Sequence, residues 1–349
     1  MRAIILKDAN EFTLEIIDKP ACPNGGLLLK VNCVGLCGSD LRKLRSGAHA
    51  YPVILGHEVV ATVVENDSDH AEYKIGDRIM PCIAATCKTC YYCQHNMDSM
   101  CQNVVVQALG YTNNPDYQGG FAEYMTIAPE LLERGKMIKI PDTMTDDEAV
   151  MIEPYTNIFN SHDPLPFEQI KNAVIIGAGP VGTMHAELLE EKGIKCMVAD
   201  MNVARLDMVK RVLNPSKLVC SASESLEDAV KEFTCGLGAD LVIVACSSAK
   251  AQAQSLGLLR GRGHVVFFGG LPSNNPITEL NGNIIHYKQL NIHGTYGANL
   301  SHFDIAYDMI ADKKLNATAY VDHFRLEEFN SVVEMMERGE VLKPVFVFE

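Results

Sequence analysis

Three residues close in the chain could together hold a metal that does chemistry. Cys37, His57 and Glu58 lie in the stretch GLCGSDLRKLRSGAHAYPVILGHE, and they offer a thiolate, an imidazole and a carboxylate. These donors suit a borderline-soft divalent ion, and three protein ligands with one open position is the arrangement of catalytic zinc. Such an ion lowers the pKa of bound water to about 7, and the same Lewis-acid action favours ionisation of a bound alcohol near neutral pH. That is half of an alcohol oxidation; the other half is a hydride acceptor. Asp40 is a candidate partner for the second ring N–H of His57, fixing its tautomer, and Ser39 is a candidate proton relay. Gly35, Gly38 and Gly56 beside the donors predict tight turns that aim side chains inward, in place of a continuous helix or strand.

Cys87, Cys90, Cys93 and Cys101 follow in the pattern C-x2-C-x2-C-x7-C. Four thiolates so close together fit a closed tetrahedral structural zinc site. An iron–sulfur cluster also uses closely spaced cysteines, and disulfides are a further alternative, but the open site upstream favours zinc. The loop is polar and has little core of its own, so the metal supplies folding energy there. The expectation is two zinc ions per chain, one catalytic and one structural.

The hydride acceptor is announced from Lys171 onward. AVIIGAGPVGTMHAELLEEKG reads as a buried strand, a glycine turn and an amphipathic helix, with Gly177, Gly179 and Gly182 in G-x-G-x-x-G around Pro180 and Val181. The next strand, KCMVA, ends in Asp200, about 20 residues after the turn, where a carboxylate takes the ribose hydroxyls of NAD and repels the 2′-phosphate of NADP. Arg205, Gly270 and Leu271 complete the candidate cofactor set.

The elements that must position these groups follow from pattern. Met1 to Val34 alternates apolar runs with CPNGG and reads as antiparallel strands, followed by strands in VVATVVEN and after KIGD, and a return strand in GGFAEYMTI. Thr145 and Glu148 form a capping box ahead of a helix that carries Glu153, an acid among apolar residues. Strands alternate with helices from Lys171 to about Gly294, six strands in all, as in a doubly wound parallel sheet. Ser301 and Asp304 are expected to cap a further helix, and the terminal VFVFE is expected to return as a strand to the first domain. The fold class is α/β, with domains at 1–157 plus 294–349 and at 158–293.

Composition bounds the partners. With 349 residues, 47% hydrophobic and 21% charged, the chain buries a large core. A net charge of −14 and pI near 5.2 argue against nucleic acid. No apolar run approaches the roughly 18 residues of a membrane span, and no secretory signal opens the chain. A cytoplasmic protein acting on a small molecule, without nucleic-acid or membrane partners, is the expectation; the twelve cysteines are then reduced thiols and metal ligands.

The order of G-x-C-G-S-D, L-G-H-E, the four-cysteine lobe, G-G-F-A-E-Y, I-E-P and G-A-G-P-V-G resembles the zinc-containing medium-chain dehydrogenase/reductase superfamily over essentially the whole chain. The resemblance implies a GroES-like β domain carrying both zincs and a Rossmann domain, with the cofactor in the cleft between, assembled as a homodimer or homotetramer. Cys37, His57 and Glu58 match the catalytic zinc positions. Glu153 matches the position that supplies a zinc-near acid in polyol dehydrogenases, and GSDL with GAHAYPVILGHE is similar to sorbitol and galactitol-phosphate dehydrogenases. A site with one thiolate among carboxylates is also harder than a two-cysteine site, which suits a substrate bearing several hydroxyls. The resulting expectation is transfer of hydride from a polyol or polyol phosphate to NAD. Threonine dehydrogenases share the framework, so an amino alcohol is a second reading, as is physiological ketone reduction; a zinc-binding structural protein has no need of all these groups together.

One position departs from the family. Many relatives end the proton relay with a histidine five residues after the zinc cysteine, where this chain has Arg42, and arginine does not give up its proton in proteins. Ser39 then hands its proton to water or Glu153, or His49 replaces the missing group. Arg42, Lys43 and Arg45 form a basic cluster in an acidic chain, and arginine pairs bidentately with phosphate. Arg42 and His49 are therefore candidate substrate residues.

Overall fold

The apolar runs at the two ends of the chain pair with each other across most of its length. In the computed structural model, which describes residues 1–47, 51–82, 84–104, 110, 118–272 and 274–348, two units are present. The first comprises Met1–Thr156, Ala298–Asp312 and Val321–Glu349. Its seven-stranded sheet runs Val321–Phe324, Lys343–Val347, Leu27–Gly35, Glu58–Asn66, Arg78–Pro81 and Met137–Ile140, with Tyr124–Ile127 also pairing with Leu27–Gly35. These pairings are antiparallel apart from the terminal strand's parallel pairing with Val321–Phe324, and Arg2–Asp8 forms a hairpin with Glu11–Ile16. Phe121, Phe329 and Phe346 stack and edge together at centroid distances of 5.0 to 5.8 Å in its core.

Register in this sheet brings distant residues to one place. Gly35 lies opposite Glu58 on one side and opposite Val345 on the other. A hydrophobic strand slipped by one residue would turn its apolar side chains to the wrong face, so the core fixes this alignment.

Two local expectations are corrected. The stretch after Cys37 is a helix, Gly38–Ser46, and not a succession of turns. Asp40 in its first turn accepts from the Cys37 amide at 3.1 Å, and Lys43 and Arg45 sit in its last turn, so both ends match the helix dipole. Further on, the helix Leu300–Ala311 is capped by Asn299 and His302, with the Asn299 amide donating to His302 Nδ1 at 3.1 Å, two residues before the expected Ser301 and Asp304. The box that Thr145 and Glu148 form is as read: the Glu148 amide donates to Thr145 Oγ1 at 3.2 Å and the Thr145 amide to Glu148 Oε2 at 3.0 Å.

The second unit, Asn157–Gly297 with Lys313–Tyr320, holds a six-stranded sheet whose pairings are all parallel. Across the sheet the strands are Lys217–Cys220, Lys195–Asp200, Asn172–Ile176, Ala239–Val244, Leu259–Phe267 and Asn291–Gly294. In chain order this is 3-2-1-4-5-6, the dinucleotide-binding arrangement, in which ligands bind beyond the carboxyl ends of the strands where the order reverses. Alternate strand residues feed apolar clusters on the two faces, one around Ile175 and Leu189 and the other around Val174 and Leu256. Residues 313–320, expected with the first domain, belong here. Their tie is a buried carboxylate: Glu187 on the helix Pro180–Glu191 accepts from the Asn316 amide at 2.6 Å and from the Tyr320 hydroxyl at 2.8 Å. Among the described residues, no helix is long and apolar enough to cross a membrane.

A buried histidine pair gives this unit a pH dependence. His162 Nε2 and His185 Nδ1 are 3.0 Å apart, and no protein group meets their other ring nitrogens. Burial, with a contribution from Lys192, pushes His162 down to about 3; burial and His162 hold His185 well below the usual value. The folded chain thus keeps neutral two rings that the unfolded chain protonates near 6.5. Their contribution is intact above about pH 6.5 and is lost as the pH falls below it, at about 1.4 kcal/mol per pH unit for each ring until that ring's own lowered value is reached, about 3 for His162. The double variant His162→Leu, His185→Leu should therefore lose stability less steeply than the wild type between pH 7.5 and 5 in urea unfolding. Parallel pH dependences would contradict this.

Candidate active site

The helix Gly38–Ser46 and the strand Glu58–Asn66 present the first group of donors. Cys37 is the N-cap of the helix, and His57 and Glu58 lead into the strand. One ligand atom from each of the three lies within 4.8 Å of the others. Asp40, fully buried, organises two of them: Oδ2 takes the Cys37 amide and Oδ1 meets His57 Nδ1 at 3.2 Å. That leaves His57 Nε2 turned toward Cys37, with Ser39 Oγ 3.5 Å away. Burial works against a charged ring, but Asp40 and Cys37 outweigh it and hold His57 well above the ordinary histidine range. The pocket is electrostatically made for a cation, and a thiolate, an imidazole nitrogen and a carboxylate converging at this spacing fit zinc.

Glu58 has a partner that sequence reasoning did not find. Lys343, at the head of the C-terminal strand, donates to Glu58 Oε1 at 2.6 Å and to Oε2 at 2.8 Å, and the two side chains are 3% and 1% exposed. Burial lowers the lysine's pKa, but Glu58, Cys37 and Glu153 reverse the effect and raise it. The one signal in the sequence was a lysine opening an otherwise apolar strand, K-P-V-F-V. Gly35 makes room for this pair, since a Cβ there would lie 2.2 Å from Glu58 Oε2.

Glu153 points inward: it is 2% exposed at the start of the helix Ile152–His162, and its charge is felt by Lys343 and by the buried Cys82. It is not one of the residues whose ligand atoms converge within 4.8 Å. The basic cluster separates. Arg45 is committed to Glu337, at 2.6 and 2.8 Å, and to Asn10 at 3.3 Å. Arg42 is exposed and Lys43 half-buried; they stand three and four residues after Ser39 and so share its helix face. Burial and the neighbouring Arg42 hold the Lys43 amine below the usual lysine value. His49 lies outside the described residues.

Cys87, Cys90, Cys93 and Cys101 form the second group of convergent donors. The Cys90 amide donates to Cys87 Sγ and the Cys87 amide to Cys101 Sγ, both at 3.3 Å. Hydrogen bonds from Thr89 and Cys90 push Cys87 down to about 5, whereas burial and the adjoining thiols push Cys93 up to about 12. A divalent ion would remove that conflict by compensating all four thiolates. The lobe is pinned to the helix Leu300–Ala311: Asp98 accepts from the Leu300 amide and from Thr86 Oγ1, each at 3.3 Å, and Asn299 accepts from the Ser99 amide at 3.2 Å.

In the second unit the glycine turn is shaped as a phosphate cradle. Gly177 has φ +114°, a Cβ on Gly182 would meet the Gly177 carbonyl at 1.8 Å, and a Cβ on Gly179 would project into open space. That space adjoins the N-terminus of the helix Pro180–Glu191, which opens with Pro180 and Val181, and would admit a pyrophosphate. Asp200 ends its strand with both oxygens held, by the amides of Ala178 and Asn202 at 2.8 Å each, and Arg205 Nη1 is 3.9 Å away. Gly270 and Leu271 follow the strand Leu259–Phe267, also at the carboxyl edge of the sheet.

Comparison with known proteins agrees with these two halves. Residues 23–142 match the alcohol dehydrogenase GroES-like domain family and residues 180–312 the zinc-binding dehydrogenase family. The chain is 27% identical to L-threonine 3-dehydrogenase of Cronobacter sakazakii over 354 residues, covering 99% of this chain and 98% of that protein. Among solved structures, galactitol-1-phosphate dehydrogenase from Escherichia coli superposes with TM-score 0.85 at 20% identity, over 100% of both chains. An alcohol dehydrogenase from E. coli CFT073 complexed with NADH gives TM-score 0.84 at 23% identity, over 100% and 99%. At these identities the likeness of the structures concerns the fold.

The position of Gly35 supplies a test of the donor cluster. Gly35→Ala should force the Glu58 carboxylate aside and weaken zinc binding there by about 10- to 100-fold, the range seen when groups supporting a ligand are lost. The cysteine lobe should keep its ion. Titration against a chromophoric chelator would show this, and an unchanged affinity would contradict the placement of Glu58.

Proposed function

We propose that this chain, which belongs to the zinc-containing alcohol dehydrogenase superfamily, transfers a hydride from a secondary alcohol of a polyol or polyol phosphate to NAD, leaving a ketose or ketose phosphate. The observation that carries the reading is a convergent set of one thiolate, one imidazole and one carboxylate, the half-buried Cys37 with the buried His57 and Glu58, while a second carboxylate, the inward Glu153, acts on the same Lys343. In this reading Cys37, His57 and Glu58 hold the catalytic zinc, Glu153 serves it at one remove, and Cys87, Cys90, Cys93 and Cys101 hold a structural zinc. The bound ion supplies a Lewis acid that polarises the alcohol oxygen. The side chains do the rest: Asp40 holds the His57 ring in one tautomer with Nε2 directed to the metal, and Ser39 takes the hydroxyl proton. Arg42 cannot accept that proton, so Ser39 passes it to water or to Glu153, or His49 takes the missing place.

The hydride acceptor is a nucleotide held by Gly177, Gly179, Pro180, Val181 and Gly182 at the pyrophosphate and by Asp200 at the ribose, bordered by Arg205, Gly270 and Leu271. Two backbone amides keep Asp200 in place, a fixed negative charge that supports NAD over NADP. Arg42 and Lys43, on the Ser39 face, would take a terminal phosphate; an anion there would relieve the repulsion between them. All twelve cysteines are free thiols, which supports a reducing, cytoplasmic setting. The strand Asn291–Gly294 ends its sheet with an open edge, which supports assembly as a homodimer or homotetramer.

A second reading is favoured by the curated relatives, whose first members are L-threonine 3-dehydrogenases. An amino alcohol of that kind would set its carboxylate against Arg42 and Lys43 and its ammonium toward Glu153. One comparison separates the readings: kcat/KM for a hexitol, its phosphate and L-threonine, with NAD and with NADP, in the wild type and in Arg42→Ala. The phosphate with NAD should be best, and Arg42→Ala should lower its kcat/KM by about 10- to 100-fold, as expected for one charge-assisted contact, leaving the free hexitol unaffected. Fastest turnover of threonine would favour the second reading, and oxidation of none of them would contradict both.

A further inference from the structure

Lys343 takes no part in the chemistry just described, yet it is bonded to both oxygens of one member of the donor cluster, Glu58. Its strand is fixed on both sides, antiparallel to Leu27–Gly35 and parallel to Val321–Phe324, where Lys343 itself lies opposite Val321. The Leu36 amide donates to the Pro344 carbonyl at 2.9 Å, one residue from the cysteine that opens the site. The lysine side chain is only 3% exposed, and both of its contacts with Glu58 are short. Glu58, Cys37 and Glu153 all act on it. A buried lysine left without anions, or a buried carboxylate left without a cation, is strongly unfavourable.

A divalent ion at Cys37, His57 and Glu58 would bring a second cation to the same anions. A carboxylate has about four lone-pair sites on its two oxygens, so Glu58 can serve an ion and an ammonium together, but only if the ammonium leaves one oxygen. Two like charges would then share one carboxylate. We propose that Lys343 is a built-in counter-cation that compensates and aims the Glu58 carboxylate when the exchangeable zinc is away, and that yields one carboxylate oxygen when the ion binds. This rests on the reading that Cys37, His57 and Glu58 hold that zinc.

The consequence is a pair of opposed effects. Lys343 stabilises the metal-free chain and, by repulsion, keeps the ion from binding as tightly as the ligands alone would hold it. A lysine that only oriented Glu58 would have the second effect reversed, because losing a supporting group weakens metal binding. A lysine that only filled space would affect the loaded and metal-free forms equally.

The test compares the wild-type chain, Lys343→Met and Lys343→Arg after a mild chelator has removed the exchangeable ion, with elemental analysis showing that the cysteine lobe keeps its zinc. Thermal unfolding is recorded before and after zinc is added back, and zinc affinity is measured by chelator competition. Metal-free Lys343→Met should melt about 10 °C below the wild type, the scale of a broken buried pair in a chain of this size. Added zinc should close most of that gap, and its affinity should be tighter by ~10-fold or more; Lys343→Arg should follow the wild type. Weaker zinc binding by Lys343→Met, or a gap that zinc leaves unchanged, would overturn the proposal. Should Lys343→Met fail to accumulate, the double variant Lys343→Met, Glu58→Gln should fold without the ion, because the uncompensated charge has gone; failure of the double variant assigns Lys343 to packing and overturns the proposal. A wild-type chain that binds no exchangeable ion contradicts the zinc reading itself, whereas a wild type that binds it beside an indifferent Lys343→Met contradicts only the role of Lys343.

Discussion

Buried charge is the constraint on which the first unit depends. Asp40, His57, Glu58, Glu153 and Lys343 are all nearly or fully removed from solvent, and each would be costly there alone. They are tolerable because they are mutually compensating. Asp40 serves the His57 ring and the Cys37 amide at once, and Lys343 serves both oxygens of Glu58. Such a network demands a scaffold that cannot shift by a residue, and the sheet provides it. Three strands from three parts of the chain meet at Gly35, whose missing side chain leaves the volume that the Glu58 carboxylate fills. The chemistry and the sheet register are therefore one specification.

The second unit meets a different demand with different means. A nucleotide pyrophosphate needs backbone amides at close range, so the turn at Gly177 leaves no side chain in the way and the following helix points its N-terminus outward. Asp200 links this turn to the neighbouring strand through the Ala178 amide, so the group proposed for the ribose also holds the shape of the turn. Glu187, on the buried face of the same helix, ties down residues 313–320. The segment that leads back to the first unit is thus anchored by the helix that follows the glycine turn.

How much of this could be read from the chain depended on the range of the interaction. The cysteine lobe, the glycine turn and the pair Cys37 and His57 were legible because ligand spacing and turn geometry are local. The capping box at Thr145 was legible for the same reason. The helix after Cys37 was not, because only its opening residues Gly38 and Ser39 carry weak helix propensity and they masked the strong helix formers behind them, and because the stabilising contact is the Asp40 side chain on the Cys37 amide. The cap at Asn299 was misplaced by two residues because a histidine ring nitrogen there does the work usually given to a carboxylate. The inward aim of Glu153 was open on spacing, and the packing of its helix settles it. Lys343 was invisible: its partner is 285 residues away, and one lysine in a C-terminal strand carries no motif.

The proposed occupancy of the first unit is two ions of different character, one in a mixed shell that can be exchanged and one in a shell of four thiolates that cannot. X-ray absorption at the zinc edge tests it most directly, on the fully loaded protein and again after the exchangeable ion has been removed. The remaining ion should show sulfur neighbours alone, at ~2.3 Å, and the difference between the two spectra should show one sulfur with nitrogen and oxygen at ~2.0–2.2 Å. A removed ion with an all-sulfur shell, or with no sulfur at all, would contradict it.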